Sequence, residues 1–282
     1  MIHSTRGAPG AGASLPPVAL VTGASAGIGE TFARELARRG YDLVLVARRA
    51  ERLTALADEL AQAHGVSAQA LPADLTVASE LARVEARLAA APGVDLLVNN
   101  AGFGAGGLFA KSDVTREQTM LRLHVDAVLR LTHAALGPML ARGSGRVISV
   151  ASLGAFMPMP FNVTYGATKA FVVAFTESLA VELAGSGVGV QALCPGFTHT
   201  EMHERAHLRT DGIPSWMWMD ADRVVRASLA ALATGKVVVV PGFVNRVNAG
   251  AAGLVPRGLL TALVSRMSRR TVEKIRARAA KA

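Results

Sequence analysis

The chain has little of what marks a disulfide-rich, fibrous or membrane-spanning protein. Among its 282 residues Cys194 is the one cysteine, which excludes an internal disulfide framework and any multi-cysteine metal cluster. The glycines fall in no Gly-X-Y period, which excludes a collagen-like rod. No uninterrupted apolar stretch reaches the ~18 residues that a bilayer-spanning helix needs. The first sixteen residues, MIHSTRGAPGAGASLP, are broken by Gly and Pro and lack the apolar block of a signal peptide, so 1–16 reads as a flexible leader. Charged residues make up 18% and hydrophobic ones 51%, enough to bury a sizeable core and to exclude disorder throughout. The expectation is a soluble, cytoplasmic α/β protein.

The formal net charge of +9 is concentrated at one end. Residues 1–240 hold 21 Lys and Arg against 20 Asp and Glu, whereas residues 241–282 hold nine basic residues and one acid, Glu273. A nearly neutral body with a basic tail lacks the basic face and stacking aromatics of a nucleic-acid binder, so no nucleic-acid partner is expected. In the tail Leu259, Leu260, Leu263, Val264, Met267, Thr271 and Ile275 recur at helical spacing, with Arg266, Arg269, Arg270 and Lys274 towards the flanks and back. Such a helix within 254–282 suits an anionic membrane surface or an acidic substrate carrier. The plainer expectation, and the preferred one, is a terminal helix packed on its own domain or on a sister subunit.

Between these ends, short apolar runs alternate with amphipathic stretches. Strands are expected at Val18 to Val21, Leu43 to Ala47, a run ending near Asp74, Leu96 to Asn99, Val147 to Ala151, Val188 to Leu193 and Val237 to Val240. Helices are expected from about Ile28 to Arg39, Arg52 to His64, Ser79 to Ala90, Arg116 to Arg142 and Asn162 to Leu183. Seven short, non-alternating strands separated by helices predict a doubly wound, Rossmann-type α/β fold, its parallel sheet covered on both faces. Ligands should then lie at the C-terminal strand ends. No repeat or linker divides the chain, so 17–242 reads as one domain and 243–282 as a basic amphipathic extension.

Directly after the first strand comes Thr22-Gly23-Ala24-Ser25-Ala26-Gly27-Ile28-Gly29, a glycine-rich turn opening a helix. Such a turn lets backbone approach a pyrophosphate while the helix N-terminus directs its free N–H groups at the phosphates. Gly23, Ser25, Ala26, Gly27, Ile28 and Gly29 are therefore candidate cofactor contacts. The second strand ends in Ala47-Arg48-Arg49 where an acid would hold a free ribose 2′-hydroxyl. Two guanidinium groups suit a 2′-phosphate instead, favouring NADP(H) over NAD(H), with one of the two arginines an ordinary solvated residue. Asp74 is placed to accept from the adenine amino group.

Tyr165 and Lys169 are four apart near the start of a helix, hence on one face. A nearby cation favours the phenolate and lowers the tyrosine pKa towards a range useful for acid–base work. Ser152, thirteen residues upstream and just past a strand, is placed to reach the same point.

With these motifs in this order the chain resembles the short-chain dehydrogenase/reductase family over roughly residues 18 to 240. The resemblance rests on Thr22 to Gly29, Asp74-Leu75, Asn99-Asn100-Ala101-Gly102, Ser152, Tyr165, Lys169, and Pro195-Gly196 with Thr198 and Thr200. It implies an NADP-dependent carbonyl reductase in which Tyr165 protonates the carbonyl oxygen, Ser152 hydrogen-bonds it, and Lys169 holds the nicotinamide ribose and lowers the Tyr165 pKa. Leu75, Asn100, Ala101 and Gly102 would line the cofactor, and Pro195, Gly196, Thr198 and Thr200 its carboxamide and diphosphate. It further implies a homodimer or homotetramer built on the long helices.

The chain departs from the family at one point. The Asn usual about twenty-five residues after the first Asn of the NNAG motif, which helps anchor a proton-relay water, is here His124. A histidine supports such a relay in a pH-dependent way. The alternative is a catalytically weakened NADP-binding scaffold or sensor.

Gly154 to Phe161 and a lid at 196–222 flank the expected nicotinamide. Phe103, Leu153, Gly154, Met159, Phe197, Trp216, Met217 and Trp218 are the substrate candidates, with at least half of the lid's apolar residues expected merely to pack it down. Aromatic and Met side chains suit an apolar ketone, aldehyde or acyl chain. His199, His203 and His207 recur at four-residue spacing, but no acid or cysteine set completes a metal site, and none is expected.

Overall fold

The computed structural model describes residues 15–91, 93–200 and 214–279. Its strands and helices alternate along the chain as β1 (Val18–Thr22), α1 (Gly27–Arg38), β2 (Asp42–Ala47), α2 (Ala50–His64), β3 (Ala68–Pro72), α3 (Ala78–Ala89) and β4 (Leu96–Asn99). Next come α4 (Val114–Leu121), α5 (Ala127–Ala141), β5 (Gly145–Val150), α6 (Val163–Glu182) and β6 (Val188–Leu193). The chain finishes with α7 (Ala221–Leu232), β7 (Val238–Val239), α8 (Phe243–Leu254) and α9 (Arg257–Ala279). The strands form one seven-stranded sheet in the order β3-β2-β1-β4-β5-β6-β7, every neighbouring pair parallel.

Successive strand residues point to opposite faces, and helices cover both. Ala19 and Val21 of β1, with Leu43 and Leu45 of β2, pack under Phe32 and Leu36 of α1, Leu53 and Leu60 of α2 and Val225 of α7. Val18, Leu20, Val44 and Val46 face the other way, onto Leu81 and Val84 of α3 and Leu131 and Met139 of α5. This is why β1 is buried at all five positions and reads as a continuous apolar run. Each fully buried Leu or Phe contributes roughly 1.5–3 kcal/mol.

Most elements lie where the apolar pattern predicts them, β4 and β6 to the residue. The expected helix from Arg116 to Arg142 instead begins at Val114 and is interrupted by one π turn, Arg122–Asp126. One extra residue per turn rotates the following face, and here it buries His124. β3 stops at Pro72, paired with Ala47 at the sheet edge, and Asp74 sits in the turn beyond, accepting from Thr76 N at 2.9 Å. The helix expected in the basic tail forms as α9, and it turns one side chain inward near its start. From Arg257 to Arg269 only Leu260 is buried, while Leu259, Leu263 and Met267 are exposed and Val264 is half-buried. No helix among the described residues is long and apolar enough to cross a membrane.

Candidate active site

The chain leaves β1 towards β2 on one side and returns through β4 on the other, so a crevice opens at the C-terminal ends of these strands. It holds a cleft of about 690 Å³. On its floor Gly23 and Gly27 have φ of +65° and +55°, left-handed values that an L side chain rarely adopts. A Cβ on Gly23 would come within 2.8 Å of Asn100 Nδ2 and 2.9 Å of Ala101 Cα. One on Gly29 would overlap the Gly23 carbonyl oxygen and the same Asn100 amide. The two loops are stitched together: Asn100 Nδ2 donates to Thr22 O at 2.9 Å, and Thr22 Oγ1 accepts from the backbone N–H groups of Asn100 and Ala101 at 2.9 and 3.1 Å. Ala26 precedes α1 without a capping side chain, leaving the first helical N–H groups to an anion. This is a cradle that added side chains would fill, and it fits a dinucleotide pyrophosphate.

At the adenine end the two arginines differ. Arg49 folds onto the glycine turn, Nη2 donating to Ser25 O at 2.8 Å and to Ser25 Oγ at 3.1 Å. Arg48 is largely exposed and lies 3.8 Å from Asp74 Oδ2. Asp74 Oδ1 already accepts from Thr76 N and from Thr76 Oγ1 at 2.7 Å, so its expected freedom to meet an adenine amino group is reduced to one oxygen shared with Arg48. Arg49→Ala is expected to weaken NADPH binding roughly 10- to 100-fold, the scale of a charge-assisted hydrogen bond, and to leave NADH binding unchanged. Parallel titrations check it, and an equal loss for both cofactors would remove the phosphate role.

Ser152, Tyr165 and Lys169 converge on the same cleft. Ser152 caps the 3₁₀ turn Leu153–Phe156 that follows β5, its Oγ accepting from Gly154 N at 3.1 Å. Tyr165 lies in the first turn of α6, with Lys169 Nζ 5.7 Å from its ring centre and donating to Val150 O at 2.8 Å. The electrostatics differ from the expectation. Burial raises the Tyr165 phenol above its ordinary value of 10, with the Ser152 hydroxyl opposing, and burial lowers the Lys169 ammonium to about 8. The low-dielectric setting decides the direction for both groups, and the phenol stays protonated as an acid.

His124 lies behind the cleft wall rather than in it. Its Nε2 accepts from Phe103 N at 3.0 Å, which leaves the ring proton on Nδ1, 3.0 Å from Thr168 Oγ1. Thr168 in turn donates to Tyr165 O at 2.8 Å. A one-way chain thus ties the loop after β4 to the turn bearing Tyr165. Burial first, and the Lys169 charge second, hold the imidazole well below its usual 6.5. The expected pH-dependent relay is therefore corrected to a neutral brace. In the unfolded chain His124 takes up a proton near 6.5 and the folded chain does not, so stability falls as pH drops below that value. His124→Asn is expected to lower this acid-side slope by up to about 1.4 kcal/mol per pH unit, read from urea denaturation at stepped pH; an unaltered slope would remove the brace's titration from the account.

The remaining cofactor candidates Leu75, Pro195, Gly196, Thr198 and Thr200 line the cleft, as do Phe103, Leu153, Gly154, Met159 and Phe197. Trp216, Met217 and Trp218 do not. Trp216 is 65% exposed, and Trp218 stacks on His199 with centroids 4.8 Å apart and tilts against Phe197. Met202, His203, His207 and Ile213 lie outside the described residues. Among the described residues no group of His, Cys, Asp and Glu could hold a metal. The sequence reading missed Arg116, Thr119 and Leu123, whose three- and four-residue spacing marks one helical face along the cleft, and Asn162 and Met157 beside the catalytic turn.

Fold and site together define a dinucleotide-dependent oxidoreductase acting on CH–OH and C=O groups. The family described as short chain dehydrogenase matches residues 17–210, and the chain belongs to it. Its structure is similar to a short-chain dehydrogenase from Sphingobium yanoikuyae in complex with NADPH (TM-score 0.77, 36% identity, 86% of this chain and 97% of that one). It is also similar to a bulky-bulky ketone specific alcohol dehydrogenase from Comamonas testosteroni (TM-score 0.73, 33% identity, 86% and 95% covered). Among curated relatives, the 3-oxoacyl-(acyl-carrier-protein) reductase FabG of Aquifex aeolicus is 31% identical over 237 residues, 80% of this chain and 96% of that one.

Proposed function

We propose that the protein is an NADP(H)-dependent reductase of an apolar ketone or aldehyde, running through Tyr165, Lys169 and Ser152. The observation that carries this reading is the convergence of Ser152, Tyr165 and Lys169 in the same cleft as the glycine cradle and the Arg48–Arg49 corner. Bound NADPH supplies the hydride that the carbonyl carbon accepts. The cradle from Gly23 to Gly29 holds the pyrophosphate, and Arg49 with Ser25 holds the 2′-phosphate. Tyr165 Oη gives its proton to the carbonyl oxygen as negative charge develops there, and Ser152 Oγ orients that oxygen. Lys169, kept beside the phenol by Val150 O, favours the tyrosinate left behind. Phe103, Leu153, Met157 and Met159 give the substrate end an adaptable apolar wall.

Support for NADPH and for a ketone also comes from the two similar structures. The buried, fully partnered His124 supports an intact catalytic helix more than a lapsed one. Assembly into a homodimer or homotetramer is part of the proposal, supported by Val114, Leu121, Leu129, Val163 and Val181, exposed along α4 to α6. The test is a fluorescence titration with NADPH and NADH in parallel, then a ketone screen following NADPH absorbance. Tight NADPH, weak NADH and ketone-dependent oxidation are expected. Equal NADH binding would overturn the arginine assignment, and binding of neither would overturn the redox reading.

A further inference from the structure

The segment after β7 turns apolar side chains outward on two successive helices. On α8, Phe243, Val247 and Leu254 fall in one narrow stripe by helical spacing, and Phe243 is 72% and Leu254 88% exposed. On α9, Leu259, Leu263 and Met267 recur every four residues, each more than half exposed. Six large apolar side chains grouped this way differ from the singly scattered ones of an ordinary surface. Arg246, Arg257, Arg266 and Arg269 are exposed on the same helices. The sequence holds no acidic residue between Asp222 and Glu273, so nothing within this segment answers them.

We propose that α8 and α9 form a docking surface for an anionic lipid bilayer. The apolar side chains enter the boundary between headgroups and acyl chains, and the arginines extend along it to lipid phosphates. Two other occupants fit less well. A second copy paired by two-fold symmetry sets the same patch against itself, which here means eight basic residues of α8 and α9 against eight with a single acid on each side. An acidic protein answers the charge but must also offer a rigid groove shaped to two stripes on separate helices, whereas a fluid bilayer needs no such match. The placement has a use. α8 packs against the Leu153–Phe156 turn, and Leu153 and Gly154 line the substrate end of the cleft, so docking brings that end towards the lipid. The docking surface itself stands independently of the reaction assigned above.

The test is co-sedimentation of the full chain with phosphatidylcholine vesicles and with phosphatidylcholine–phosphatidylglycerol vesicles. Binding is expected to the second kind and to weaken as salt is raised. Two variants separate the contributions, one carrying Leu259→Ser, Leu263→Ser and Met267→Ser, the other Arg257→Gln, Arg266→Gln and Arg269→Gln. All six positions are exposed, so melting curves should match the parent, and each variant should lose roughly tenfold or more in vesicle affinity. Recovery of the full chain in the supernatant with both vesicle types overturns the proposal, as does undiminished binding by both variants. A serine variant that breaks a larger oligomer into a smaller one, seen by light scattering, reassigns the face to contact between copies. A chain that ignores vesicles but is retained by an immobilised acidic carrier protein reassigns it to a protein partner.

Discussion

Tyr165→Phe should lose roughly 10²–10⁴-fold in kcat/KM for ketone reduction, with the NADPH dissociation constant unchanged. The substitution deletes one oxygen and keeps the ring that packs edge-on against His124 at 5.8 Å between centroids. The helix turn, the Thr168 bond to Tyr165 O and the Lys169 bond to Val150 O all use atoms that remain. What vanishes is the proton that burial keeps on the phenol at neutral pH. Steady-state kinetics beside a cofactor titration would separate the two effects. Retention of most of the activity would mean that Ser152 or water delivers the proton, and the mechanism would have to be rebuilt around them.

Gly29→Ala is expected to abolish tight NADPH binding and to destabilise the fold by roughly 1–3 kcal/mol, the range for overpacking a site that cannot relax. The backbone of Gly29 sits in the first turn of α1, and a methyl group there meets the Gly23 carbonyl and the Asn100 amide. Neither neighbour is a flexible tip. The Gly23 carbonyl belongs to the turn, and Asn100 Nδ2 is committed to Thr22 O and, at 3.4 Å, to Gly23 O. Relief of the overlap therefore moves the cradle itself. Urea denaturation reads the stability loss and NADPH titration the binding loss; wild-type affinity in a folded variant would show that the turn has slack.

Much of this was legible before the structure because it was written in local chemistry. Apolar runs such as Leu96–Asn99 announce strands buried on both faces, and Tyr165 and Lys169 share a helix face at any register of the sheet. The glycine turn is legible for the same reason, since its meaning depends on the strand before it and the helix after it. What escaped depends on contacts distant in sequence. No periodicity reports the extra residue of the π turn that buries His124, and the partners of that ring come from Phe103 and Thr168, 21 positions before it and 44 after. The Tyr165 pKa was misjudged because a four-residue spacing reveals a neighbouring cation but not the desolvation around it. Trp218 was read as a substrate contact from its chemistry alone, whereas its ring packs against His199 and Phe197.

The first turns of α8 reach into the chamber wall. Asn245 is buried, its Nδ2 donating to Pro241 O at 2.9 Å, and a Cβ on Gly196 would come within 2.6 Å of that same nitrogen. The close approach of Gly196, at the nicotinamide end, is thus shaped by a residue that the sequence assigns to the appendage. A deletion ending at Gly242 would take a strut out of the reaction chamber along with the basic helix, while one ending at Val255 would spare it. The segment that reads as an afterthought in composition is half scaffold, and the seam between enzyme and appendage runs through the middle of it.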